Sequence, residues 1–120
     1  MNKIVQPLLE FRNQIKIYHW STESDPRHKN SDKLLSEIDE LSDKFVEVLS
    51  GSRDKKPNST MTLSLKKMTD TSILKYIENF RFWLGNDLVA LLYEDETDLL
   101  NLKDELISTV NRGLYLLRNK

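Results

Sequence analysis

Both histidines of this chain, His19 and His28, lie in one stretch, HWSTESDPRHKNSDKLLSEIDELSDKFVE, which runs from His19 to Glu47. The same stretch holds three carboxylates at suggestive intervals: Asp32, Asp43 and Glu47. His28 and Asp32 are four residues apart, as are Asp43 and Glu47. On a helix each such pair shares a face and can close on one metal ion. The step from Asp32 to Asp43 is close to a whole number of helical turns, so the two pairs share that face. They are separated by roughly 16 Å along the axis. Metal–ligand bonds are only about 2 Å long, so one ion cannot use both pairs of one chain. A second copy of the helix, antiparallel across a two-fold axis, sets the first pair of each chain against the second pair of the other.

The ligand types narrow the chemistry. The chain contains no cysteine, which excludes disulfides, thiol catalysis and cysteine-bound zinc or iron–sulfur clusters. Histidine and carboxylate donors suit iron, with zinc or manganese as other candidates. An intrachain ferritin-type site needs Glu-x-x-His on two helices. Three residues before the histidines stand Lys16 and Asp25 instead, so that version is disfavoured. No serine–histidine–aspartate or phosphate-loop pattern supports hydrolysis or nucleotide binding.

The elements that must position these residues read as helices. Leucine dominates the apolar set, and only three glycines and three prolines occur in 120 residues. That length supports one domain with one core, residues 1–120. A first helix is expected from Gln6 to Trp20, with Pro7 in its first turn and Leu8, Phe11, Ile15 and Tyr18 inward. A second should run from Pro26 to Ser50, with Asp25 as N-cap and Gly51 as its stop. Its stripe is Leu34, Leu35, Ile38, Leu41, Phe45, Val48 and Leu49, with the proposed ligands on nearly the opposite face. The short turn between them makes the two helices antiparallel neighbours and brings His19 toward His28 and Asp32.

Residues 51–69 form a long break containing Arg53, Lys55, Lys56, Lys66 and Lys67, with a short helical piece expected around Leu63 to Met68. A third helix is expected from Thr71 to Tyr93, with Gly85 inside it at a cost of about 1 kcal/mol. A fourth runs from Thr97 to Arg118. The pattern is all-α: two helical hairpins joined by a long crossover, the connection found in ferritin-like four-helix bundles.

On these residues the chain resembles the Dps-type miniferritins of the ferritin-like superfamily. The resemblance rests on the run QIKIYHW, then HKNSD from His28 to Asp32, then DKFVE from Asp43 to Glu47. It covers about a third of the chain. The stretch IYHWSTESDPRHKNSDKL is also similar to small ferritin-like proteins of large DNA viruses. The resemblance implies a ferroxidase centre between two-fold-related subunits. It implies that His19, His28 and Asp32 come from one chain and Asp43 and Glu47 from its mate, with Trp20 beside the site. It implies iron as the metal, peroxide or dioxygen as oxidant, and a partner that is a second copy, with a dodecameric shell beyond the dimer. Family members are usually longer. The lysine-rich arm many use for DNA has no counterpart before the first helix, and the connection from His-Trp to H-x-x-x-D is shorter.

The net charge of −1 gives no electrostatic case for direct DNA binding or for an anionic membrane. No apolar run nears the ~20 residues of a membrane span, and no signal peptide is evident, so a cytoplasmic location is expected, in a host cell or virion if viral. The competing reading is a non-catalytic helical dimer, a structural or protein-interaction module that keeps the scaffold and an acidic solvated face. Such a module tolerates alanine at all five ligand positions. A ferroxidase does not, and its iron binding weakens steeply as pH is lowered, because each imidazole must be neutral to coordinate.

Overall fold

The computed structural model describes residues 1–118. They form an all-α bundle of four long helices and one short one: α1 (Asn2–Ser21), α2 (Asp25–Arg53), α3 (Ser72–Gly85), α4 (Asp87–Ala90) and α5 (Thr97–Arg118). No strand occurs among the described residues. The longest dimension, 43 Å, is set by α2, whose 29 residues span about 43 Å at 1.5 Å each.

α1 packs on α2, α2 on α5 and α5 on α3. The fourth seam, between α1 and α3, is closed by aromatic rings: Phe11 stacks on Phe80 with centroids 3.8 Å apart. Tyr18 near Asp70 and Phe11 against Phe80 show that α3 runs antiparallel to α1. Asn30 at Leu116 and Arg53 at Glu96 show the same for α2 and α5. α1 and α5 therefore point one way, α2 and α3 the other. Two hairpins joined by a long crossover is the arrangement expected from the sequence. The core is one cluster drawn from all five helices, with Phe11, Phe45, Leu49, Ile73, Ile77, Leu99 and Leu114 completely shielded.

Several boundaries differ from the sequence expectation. α1 begins at Asn2, so Pro7 lies inside the helix. The Met1 carbonyl accepts the N–H groups of Ile4 and Val5 and closes the extra turn. At α2 the N-cap is Ser24, whose Oγ accepts from the Arg27 N–H at 3.3 Å, and Asp25 is already helical. Gly51 does not stop α2. The helix continues to Arg53 and ends at Asp54, which adopts the left-handed conformation (φ 50°). The extra turn delivers the Arg53 guanidinium to Glu96 and to the Leu91 carbonyl. The expected third helix is broken at Gly85–Asn86. There the Asn86 side-chain amide donates to the Phe82 carbonyl at 2.8 Å. That is the acceptor its own N–H would take in a continuous helix, a local competition typical of asparagine.

The crossover holds no helix between 63 and 68. It lies extended along α1, and its main chain bonds to side chains four residues apart on that helix. Gln6 Nε2 donates to the Thr62 carbonyl, the Ser64 N–H to Glu10, and Lys66 exchanges two bonds with the Gln14 amide. The register has a simple cause. Two extended residues advance about 6.6 Å and four helical residues about 6.0 Å, so the two repeats stay in step. Among the described residues no helix is long and apolar enough to cross a membrane.

Candidate metal centre

His19 sits in the last turn of α1 and His28 in the first turn of α2, across the three-residue turn 22–24. Their rings stack with centroids 4.0 Å apart and planes 21° off parallel. His19 Nδ1 lies 2.8 Å from the His28 carbonyl, and His28 Nδ1 lies 2.9 Å from the His19 carbonyl. A carbonyl oxygen can only accept, so each Nδ1 carries the proton and donates it. In the neutral form of each ring Nε2 then keeps its lone pair. An Nδ1–H held by a backbone carbonyl is the usual support of a metal-binding imidazole, because it sets the tautomer and the ring direction. Ser31, fully shielded, reinforces the pair: its hydroxyl donates to the His28 carbonyl at 3.1 Å and lies 3.3 Å from His19 Nδ1.

Asp32 places Oδ1 3.8 Å from His19 Nε2, too long for a hydrogen bond and open to solvent. His19 is buried and His28 is exposed, so the pair sits at the edge of the bundle with only the His28 ring open to solvent. The structure thus brings His19, His28 and Asp32 together. It does not bring Asp43 or Glu47 to them. Both are exposed, further along α2, as the helical rise requires. Among the described residues no group of three or more histidines and carboxylates in this one chain is placed to hold an ion.

Asp32 and Asp43 nonetheless border adjoining sections of one groove. The groove follows the α1/α2 seam. One section is lined by Lys16, Asp32, Leu35 and Ser36, and the next by Leu8, Leu9, Ser42, Asp43 and Val46; Arg12 and Asp39 belong to both. Their ion pair, at 2.6 Å, crosses the groove. Ser42 at the floor is buried, and its Oγ has no hydrogen-bond partner. Trp20 is 68% exposed, with Lys16 Nζ 5.3 Å from its ring centre.

Three residues that matter here were not singled out in the sequence: Ser31, Arg27 and Tyr18 in its polar role; a fourth, Asp70, is expected from the sequence among the caps of the third helix, Asp70-Thr71-Ser72, but the N-cap is Thr71 and the Asp70 carboxylate turns to Tyr18 and Thr22 instead. One signal was available. Arg27 and Ser31 precede Leu34 and Ile38 at helical spacing on the buried stripe of α2, where polar side chains demand partners. Nothing local in the sequence points to the partners Asp70 takes. It arrives from the crossover, with its Oδ1 accepting from the Tyr18 hydroxyl at 2.7 Å and from the Thr22 hydroxyl at 2.9 Å. The hydrogen bond from Tyr18 is the main cause that holds the Asp70 carboxyl below its usual range, and burial pushes the Tyr18 phenol up.

No curated protein and no solved structure matches this chain. One family model matches residues 19–117, from His19 through nearly all of α5, and is described as a family of unknown function, DUF5856. The match spans most of the chain and includes all five candidate ligands, and on that extent the protein belongs to the DUF5856 family.

Proposed function

We propose that this protein is a miniferritin-like ferroxidase of ferritin-like architecture, which takes iron(II) as substrate at a two-fold interface between two copies. The observation that carries the reading is the reciprocal lock of His19 and His28 through their Nδ1 atoms, which fixes both rings and leaves His19 Nε2 3.8 Å from the Asp32 carboxylate.

The spacing along α2 supports the second half. His28 and Glu47 are symmetric about one point of the helix, between Glu37 and Ile38, and so are Asp32 and Asp43. A two-fold axis at that level sets His28 and Asp32 of each copy opposite Glu47 and Asp43 of the other. The site then gathers two imidazoles and three carboxylates. Bringing Asp32 of one copy beside Asp43 and Glu47 of the other without a cation is unfavourable, because like charges repel. Iron(II) at the junction offsets that repulsion, and carboxylates favour iron(III) over iron(II). Hydrogen peroxide takes one electron from each of two iron(II) ions and, with two protons, leaves as two waters. Dioxygen is the alternative oxidant, and zinc or manganese can occupy the same donors.

An anaerobic iron(II) titration followed by one addition of peroxide, run beside Asp43→Asn, tests the reading. The molar mass in solution is measured in parallel. Saturable binding and rapid oxidation in an oligomer, both lost in the variant, support it. Equal, slow and unsaturable behaviour in both overturns it and leaves the helical interaction module, whose assembly tolerates the variant.

A further inference from the structure

Next to the histidine pair lies a second polar cluster that the iron reading does not use. Tyr18 and Arg27 are almost fully buried, and each adjoins one of the histidines in sequence. The Arg27 guanidinium donates to the Tyr18 hydroxyl at 3.1 Å and to the main-chain carbonyl of Asp70. The Tyr18 and Thr22 hydroxyls donate to the Asp70 carboxylate. Asp70 therefore holds α1 with its side chain and α2 with its main chain, and it comes from neither helix.

We propose that Asp70 is the positioning residue of the histidine pair, setting the separation between the end of α1 and the start of α2 at which the two rings lock each other. The turn 22–24 alone leaves the two helix ends free to splay. The reciprocal bonds of 2.8 and 2.9 Å are short enough that a shift of about 1 Å breaks both. Without the carboxylate, Tyr18 and Thr22 lose their acceptor and the buried Arg27 loses its countercharge. The strain falls on the backbone beside His19 and His28. The crossover is itself strapped to α1 through Gln6, Glu10 and Gln14. The register of that strap is thereby transmitted to the rings.

The bundle supplies its own control. At the opposite end Arg53 and Glu96 form a clamp of similar build, with hydrogen bonds of 2.7 and 3.0 Å, far from either histidine. A merely structural role for Asp70 predicts equal consequences for both clamps at equal loss of stability.

The test uses the full chain without metal. Nitrogen–proton correlation spectra of the imidazole rings, at mildly alkaline pH, report which ring nitrogen carries the proton. They are recorded for wild type, Asp70→Ala, Asp70→Asn and Glu96→Gln, with Tm measured for each. Wild type and Glu96→Gln are expected to show the Nδ1–H form in both rings. Asp70→Ala is expected to show mixed tautomers, and Asp70→Asn, which keeps an acceptor oxygen, to recover most of the wild-type pattern. Cobalt(II) alone is then titrated, with an expected loss of affinity of about tenfold in Asp70→Ala, at the low end for an outer partner of a ligand. Unchanged rings in Asp70→Ala overturn the proposal, as does an equal change in Glu96→Gln. Only the cobalt arm rests on the metal reading. If wild type binds no cobalt(II) while the rings respond to Asp70, the ferroxidase reading falls and the positioning role stands.

Discussion

His19 and His28 hold one another: each imidazole donates its Nδ1 proton to the other residue's backbone carbonyl, at 2.8 and 2.9 Å. The exchange joins the last turn of α1 to the first turn of α2. It also makes the availability of two Nε2 atoms a property of the backbone, so any change that moves either helix end changes the donor set.

Ser31 is the first place to perturb this relationship without touching a ligand. Its hydroxyl contacts both members of the pair and is shielded from water. Ser31→Ala is expected to weaken iron(II) or zinc(II) binding about tenfold, the usual effect of losing an outer hydrogen bond, with little change in Tm. Calorimetric titration decides it, and equal affinities in the two proteins contradict the role given to Ser31.

The crossover depends on one buried amide. Gln14 is 1% exposed and makes two bonds to the main chain of Lys66. Gln14→Ala should cost about 1–2 kcal/mol in urea unfolding, since water can reach Lys66 and replace part of what is lost. Hydrogen exchange should accelerate at the Lys66 amide while the amides of α5 stay protected. Uniform acceleration across the chain would show that the crossover does not open on its own.

Arg53 and Glu96 supply a prediction with a sign in pH. Glu96 is buried, and the hydrogen bonds from Arg53 hold its carboxyl below the ordinary range. A carboxyl lowered on folding stabilises the protein above its unfolded value of about 4.3. That contribution is lost as pH falls through the lowered folded value. Glu96→Gln should therefore destabilise by about 2–3 kcal/mol at neutral pH. Its difference from wild type should shrink as the solution is acidified below the ordinary carboxylate range. A difference that is constant from neutral to acid pH assigns the loss to packing instead.

Gly113 of α5 lies against the Leu34 side chain of α2. A Cβ there would stand 2.8 Å from Leu34 Cδ1. Gly113→Ala should lower stability by about 1–3 kcal/mol through overpacking. Because the obstacle is the far end of a side chain, Leu34→Val in the same molecule should recover part of the loss. Additive destabilisation in the double variant would place the strain in the backbone.

Local and periodic information determined much of this protein. Helical spacing in residues such as Leu34, Ile38, Phe45 and Leu49 identified α2 and its buried face, because a 3.6-residue repeat leaves one stripe that must be shielded. Four candidate ligands, His28, Asp32, Asp43 and Glu47, were legible for the same reason, as polar residues in register on the other side of α2, and the short turn showed that His19 ends near His28. Tertiary structure decided what depends on partners distant in sequence. α2 extends past Gly51 because Arg53 is claimed by Glu96, forty-three residues on. The crossover is extended, not helical, because α1 offers side chains at a spacing that matches an extended chain and takes up its hydrogen bonds. The tautomer of both histidines, and the reach of Asp70 to the corner beside them, follow from three segments meeting at one point. No local pattern encodes such a meeting, because the energy that holds it is shared among residues that become neighbours only when the bundle closes.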